Sequence, residues 1–194
     1  MPITLNGSGT ITGVTTLGTT LTSPTLTTPI VTTTIGVGNA TPSASGSGVS
    51  FPATQSASSD ANTLDDYEEG TFTPTIVYSG TNTPTYTNQF GRYTKVGRIV
   101  QLQILLSWNE NGSTGNITVG NLPFTSVTSF ARSVPSIASF GLTGLPVNVS
   151  ITGLVFSNST AIALYLNDNA ATTLSATYTD NDQDMYVTVT YEAV

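Results

Sequence analysis

An all-β fold, an antiparallel sandwich of the jelly-roll kind carrying an extended Thr-rich N-terminal arm, is predicted for this chain of 194 residues. Three observations predict it. Between Arg98 and Trp108 apolar residues occupy every second position, the period of a strand with one face buried. Further short apolar runs follow, separated by clusters of Gly, Asn, Asp, Ser and Thr that read as turns. No long segment repeats its apolar residues at about 3.6, so no amphipathic helix is expected.

The first element is the arm, residues 1–39. From Met1 to Ser59 there is no charged side chain, whereas all four cations and all eleven anions lie between Asp60 and Val194. Thr dominates the opening stretch and Pro24 and Pro29 interrupt it, which disfavours helix by propensity and by geometry. Leu17, Leu21, Leu26, Ile30 and Ile35 follow one another at steps of four and five, and TLTSP followed by TLTTP marks a weak internal repeat. That spacing matches neither a helix nor a simple strand. A single chain of this composition buries too little apolar surface to offset the entropy of ordering it. Three copies wound about one axis would turn the apolar residue of each step inward and pair backbone groups between chains. The arm is therefore expected to be a shaft or anchor in a homotrimer, with those five residues as its trimer contacts.

Residues 40–63, rich in Ser, Ala and Gly and without a period, are expected to be a linker, and residues 64–194 the sandwich head. Within the head, β-type runs fall at 71–78 (TFTPTIVY), 91–96 (GRYTKV), 98–108 (RIVQLQILLSW), 116–119 (NITV), 147–156 (VNVSITGLVF), 159–166 (STAIALYL), 172–179 (TTLSATYT) and 185–194 (MYVTVTYEAV). In the third of these, Val100, Leu102, Ile104, Leu106 and Trp108 share one face, with Gln101, Gln103 and Ser107 on the other, so the even-numbered face belongs in a core. SGTNTPT, NENGSTG, SNS, NDNAA and DNDQD supply the turns, and residues 126–139 are expected to be a long loop. Many short strands with such spacing indicate a sandwich or jelly roll.

Composition removes whole classes of function. Only 8% of residues are charged, against about a quarter in ordinary soluble domains, so Thr, Ser and Asn must cover the surface. A net charge of −7 with four cations repels phosphate backbones, which argues against nucleic acid as a partner. With no Cys and no His there is no disulfide, no thiolate or imidazole zinc site and no Ser-His triad. No cofactor and no metal are expected. No apolar run reaches the roughly 18 residues of a membrane span, and the N-terminus lacks the order of a signal peptide. Membrane insertion is not expected, and assembly in a cytoplasm is.

Several residues are candidate sites. Asp65, Asp66, Glu68 and Glu69 form the densest charge cluster. Glycoside hydrolysis needs two carboxylates that face each other across a sugar, and groups adjacent on an extended segment do not; a solvated or trimer-contact role is expected. Asp180, Asp182 and Asp184 resemble the start of a calcium loop, but an EF-hand needs Gly and Glu where Met185 and Tyr191 stand, so an acidic hairpin turn is the expected reading. Trp108 continues the apolar face of its strand and is assigned to the core. Tyr78 and Tyr86 flank SGTNTPT at the end of the head and are expected as receptor contacts. Arg92, Lys95 and Arg98 are expected to pair with the acidic cluster, or second to meet an anionic host glycan.

The run SGVSFPATQSASSDANTLDDYEEGTFTPT, followed by GRYTKVGRIV and later by NLPF, resembles the C-terminal region of tailed-bacteriophage fibre proteins. TLTSPTLTTPIV resembles repeats upstream of that region, so the resemblance covers residues 15–124. It implies a homotrimeric virion appendage: an N-terminal part bound to other virion proteins and a β-rich head that meets a glycan or protein on the host surface. A capsid-attached head fibre or decoration protein is the alternative. A polysaccharide depolymerase of the tailspike kind ranks below both, because a long β-helix with a carboxylate-lined groove does not fit into the head.

Overall fold

The computed structural model describes residues 34–194 apart from 44, 56, 130, 131, 169 and 180; the expected arm contacts Leu17, Leu21, Leu26 and Ile30 lie outside the described residues. Two strands, β1 (Thr34–Gly36) and β2 (Gly48–Ser50), pair in parallel ahead of the head. The head consists of β3 (Tyr67–Phe72), β4 (Thr75–Tyr78), β5 (Thr85–Val96), β6 (Ile99–Asn109), β7 (Ile117–Gly120), β8 (Ser136–Phe140), β9 (Ile151–Val155), β10 (Ile162–Leu166) and β11 (Gln183–Glu192). A five-stranded sheet has the order β3-β5-β6-β11-β8 and a four-stranded sheet the order β4-β7-β10-β9. Every pairing inside these two sheets is antiparallel.

One core lies between the sheets. The even residues of β6 from Val100 to Trp108 and the odd residues of β11 from Met185 to Tyr191 are buried, and they meet Ile76, Ile117, Val119, Ile162, Leu164 and Leu166 of the other sheet. The period-two pattern of the sequence thus becomes the inner face of the sandwich, as face-to-face packing of two sheets requires. Small residues let large ones lie flat within it. Gly70 pairs with Tyr93 and Gly91 with Phe72 across β3 and β5. A Cβ on Gly70 would come within 2.8 Å of the Tyr93 hydroxyl, and one on Gly91 within 2.5 Å of the Phe72 ring. These aromatic rings cover the space the glycines leave open.

The chain departs from expectation at five places. Residues 71–78 are not one strand: the chain leaves the five-stranded sheet after Phe72 and enters the four-stranded sheet at Thr75. Pro74, with no N–H to donate, sits buried at that crossing, where no ladder bond is required. β5 begins at Thr85, earlier than expected, and accommodates its extra length by a bulge between Tyr86 and Asn88. Residues 172–179 supply only isolated bridges at Thr173 and Ser175 and then a 3₁₀ turn, Ala176–Tyr178. Residues 126–139, expected as a loop, hold most of β8, which closes one edge of the larger sheet. The linker is also not a free spacer. It contributes β2, whose Val49 pairs with Ile35, and Ile35 is 47% exposed on β1.

At the base of the head, where β5 turns into β6, an ion pair is buried. Lys95 faces inward and is 4% exposed, as is Asp66, and its ammonium meets the Asp66 carboxylate. The same Nζ donates to Gln55 Oε1 at 3.2 Å and lies 5.6 Å from the centre of the Phe124 ring. Beside it the backbone N–H of Ser58 donates to Asp65 at 2.8 Å, and that bond holds the Asp65 carboxyl below its usual range. Linker and sheet are thereby fastened together. At the opposite end of the core Gln183 is fully buried, and neither side-chain polar atom has a hydrogen-bond partner among the described residues.

Asp66→Ala should leave the Lys95 ammonium buried and unpaired, at a cost of about 3–5 kcal/mol, seen as a fall in the urea unfolding midpoint. Gln183→Met should leave the midpoint unchanged or raise it, since it exchanges an unpaired buried amide for an apolar side chain of similar length. Burial pushes the Tyr191 phenol up from 10.0 to about 12, although its hydroxyl donates to the Phe124 carbonyl at 2.8 Å. The unfolded chain therefore loses this proton first as pH rises. Its contribution to stability should be complete below pH 10 and lost between pH 10 and about 12, and Tyr191→Phe should abolish that part of the alkaline dependence in denaturation series.

Candidate functional site

β6 runs from the base of the head at Ile99 to the opposite end at Asn109, and there the loops before β5, after β6 and before β11 come together. The loop after β6 turns through Asn111 and Gly112, both with positive φ (49° and 69°), the conformations that Asn and Gly tolerate best. From this turn Thr114 holds the neighbouring loop: its hydroxyl accepts the Thr81 N–H at 2.9 Å and its carbonyl accepts the Gly80 N–H at 2.8 Å. Ser113 Oγ accepts the Thr83 N–H at 3.0 Å, and the Thr83 hydroxyl donates to the Asn111 carbonyl at 2.9 Å. On the other side, Asn109 Oδ1 accepts the Asp182 N–H at 2.7 Å. Thr, Ser and Asn compete well for backbone partners, which is why this composition makes firm loops here.

A directional hydrogen-bond chain leads from these loops into the core. Trp108 Nε1 donates to the Tyr78 hydroxyl at 3.0 Å, that hydroxyl lies 3.4 Å from the Thr179 hydroxyl, and Thr179 donates to Glu110 Oε2 at 2.6 Å. The largest buried side chain of β6 is thereby linked to the loop surface. What the distal end offers outward is an array of hydroxyl and amide groups on braced backbone, suited to hydrogen bonding with a polar surface.

The sequence-predicted sites fall as follows. Tyr78, expected at the receptor, is a core residue: it is 3% exposed, and burial raises its pKa. Tyr86 is half-buried and also raised by burial; its hydroxyl accepts the Ile76 N–H at 2.8 Å and donates to the Ile76 carbonyl at 3.1 Å. Both tyrosines are corrected from receptor contacts to packing residues. They flank the exposed loop in sequence, but β4 and β5 turn their rings inward, and Tyr86 satisfies backbone groups of the edge strand β4. Trp108 lies in the core as its periodicity predicts.

Lys95 pairs with Asp66 of the acidic cluster, whereas Arg98 pairs instead with Glu192 at 3.9 Å on the surface, and Arg92 lies over Phe90 at 5.9 Å from the ring centre. Of the remaining cluster, Glu69 accepts a hydrogen bond from the Tyr67 hydroxyl at 2.9 Å. In DNDQD, Asp184 accepts from Ser107 at 2.5 Å and Asp182 adopts φ of 63°, while Asp180 lies outside the described residues. Among the described residues no three acidic side chains gather where a metal ion could sit. The loop braces Ser113 and Thr114 carry no sequence signal beyond the density of Ser, Thr and Asn in NENGSTG, and Thr179, in TTLSATYT, carries none.

No protein-family model matches this sequence, and no curated protein does. Among solved structures the chain is similar to the Dettilon tailspike protein, with 17% identity and a TM-score of 0.54 over 65% of this chain and 24% of that one. The chain thus spans about a quarter of the tailspike's length, and what the two share is a fold.

Proposed function

We propose that this chain is a structural, non-enzymatic virion protein of a tailed bacteriophage, a trimeric tail fibre or comparable appendage whose head touches the host surface. The observation that carries this reading is the sandwich itself, a fold present in a phage tailspike protein, in a chain whose LDDYEEGTFTPT and GRYTKVG resemble fibre C-terminal regions. Those two segments lie side by side as β3 and β5 and make the pairs Asp66 with Lys95, Gly70 with Tyr93 and Phe72 with Gly91. Their residues are accounted for by building the head.

The acidic cluster supports a role without catalysis. Asp65 accepts a backbone N–H, Asp66 holds Lys95 and Glu69 accepts a tyrosine hydroxyl, so these carboxylates are engaged where they stand rather than opposed across a groove. The distal loops are the surface for the host, because they lie away from the linker and expose polar groups on a firm backbone. Hydroxyl and amide contacts of this kind are individually weak, and three linked heads would gain avidity by engaging together.

The full-length protein should compete with phage for adsorption to permissive cells, and Thr81→Lys at the distal loop should weaken that competition at least tenfold without moving the melting transition. Immunogold labelling of virions should mark the tail. Label spread over the capsid, with no competition, would assign the chain to the head-fibre or decoration class, and release of oligosaccharides from host polysaccharide would make it an enzyme.

A further inference from the structure

The outward face of the five-stranded sheet carries side chains that ordinarily lie inside. Phe90, Leu105 and Tyr186 stand opposite one another across β5, β6 and β11. Phe140 of β8 leans edge-on against Tyr186, with ring centres 6.3 Å apart and planes at 81°. Phe90, Tyr186 and Phe140 are 46%, 48% and 62% exposed. A second apolar row crosses the same face nearer the base, through Tyr67, Val96 and Ile99. Between the rows Arg92, Gln103 and Thr188 border a shallow depression of about 340 Å³. Contiguous exposed apolar surface of this kind marks a contact site rather than ordinary solvent surface.

Charge identifies the occupant. The chain carries a net charge of −7, so most of its surface repels a second copy. On this face the carboxylates lie at the margins: Glu69 on the edge strand β3, and Asp184 and Glu192 at the two ends of β11. Arg92 lies on β5, beside the edge strand β3, among neutral Gln and Thr. Arg92 sits on the β5 half of the face and Asp184 and Glu192 on the β11 half, so the β5 half of one copy is complementary in charge to the β11 half of the next, a head-to-tail contact that a threefold ring closes. Exposed aromatic residues with an arginine among them and carboxylates at the rim match the composition of protein interfaces. The area is sufficient. Strands of 6, 12, 11, 10 and 5 residues, about 4.8 Å apart with a rise of about 3.4 Å per residue, present on the order of 700 Å², close to the roughly 800 Å² each partner gives to a stable interface.

We propose that this outward face, with the row Phe90, Leu105, Tyr186 and Phe140 and with Arg92 beside Phe90, is the surface through which a second copy of the chain packs. The inference rests on the trimeric reading above and deepens it by assigning contact between copies to the heads, not to the arm alone.

The chain has no cysteine, so single cysteines report cleanly on exposure. In the full-length protein, maleimide should label Thr188→Cys, at the centre of the face, at least tenfold more slowly than Thr81→Cys on the distal loop. Adding Phe90→Glu and Tyr186→Glu should restore fast labelling at 188 while the melting transition persists. An oligomer that labels equally fast at both positions would overturn this inference and leave an assembly joined through the arm. A monomer would overturn both this inference and the trimeric reading. Slow labelling that survives in a folded variant shown to be monomeric would mean that the head shields position 188 by itself, and would also overturn it. Fast labelling at 188 that host polysaccharide slows would give the face to a glycan instead.

Discussion

The pairing of β6 with β11 is the constraint on which the rest of the head depends. Ten residues of one strand face ten of the other, from Ile99 opposite Glu192 to Trp108 opposite Gln183. Along both strands alternate residues are buried, so a slip of one residue would carry Gln101, Gln103, Thr188 and Thr190 into the core and expose Leu102 and Val189. Such a face cannot remain uncovered. The four-stranded sheet is its cover, and the need to supply that cover makes the chain cross between sheets at Pro74.

The base of the head shows how polar groups are placed inside such a structure. Lys95 occupies an inward position that the alternation would otherwise give to an apolar residue, and it is tolerated because Asp66, Gln55 and the Phe124 ring surround its ammonium. These partners come from the linker, from the residue before β3 and from the segment after β7. The pair therefore fixes where the linker joins the sheet, a role in specificity more than in net stability. It also explains why DDYEEGT and GRYTK lie a strand and a return apart, since each residue of one segment meets its partner only in that antiparallel register.

The two exposed regions differ in chemistry as their proposed partners do. The distal loops are polar, internally hydrogen-bonded and set at the end away from the linker. The outward face of the larger sheet is aromatic, with its carboxylates at the margins, and runs along the length of the head. Packing copies through the sheet face would leave the loop ends of all heads free and pointing the same way, the geometry from which avidity arises. Hydrophobic contact and polar recognition would then be separated on one small domain without either compromising the other.

Alternation is a local property, and it was legible. The inward face of residues 98–108, the strand character of 185–194 and the core position of Trp108 follow from residue types at every second position, because each side of a strand meets one environment. The acid-base pairing of Lys95 was legible as chemistry, since a nearly uncharged chain offers few partners. The inward packing of Tyr78 and Tyr86 was not legible: their nearness to a polar loop in sequence carries no information about which way β4 and β5 turn their rings. Nor did the run 71–78 reveal its break between two sheets, or 126–139 its strand. In both, the outcome depends on a partner strand distant in sequence, and a strand is stabilised by its cross-strand neighbours more than by its own residues. Period and composition determined which residues must be covered; only the tertiary structure decided what covers them, because burial is shared between segments that the order of residues does not bring together.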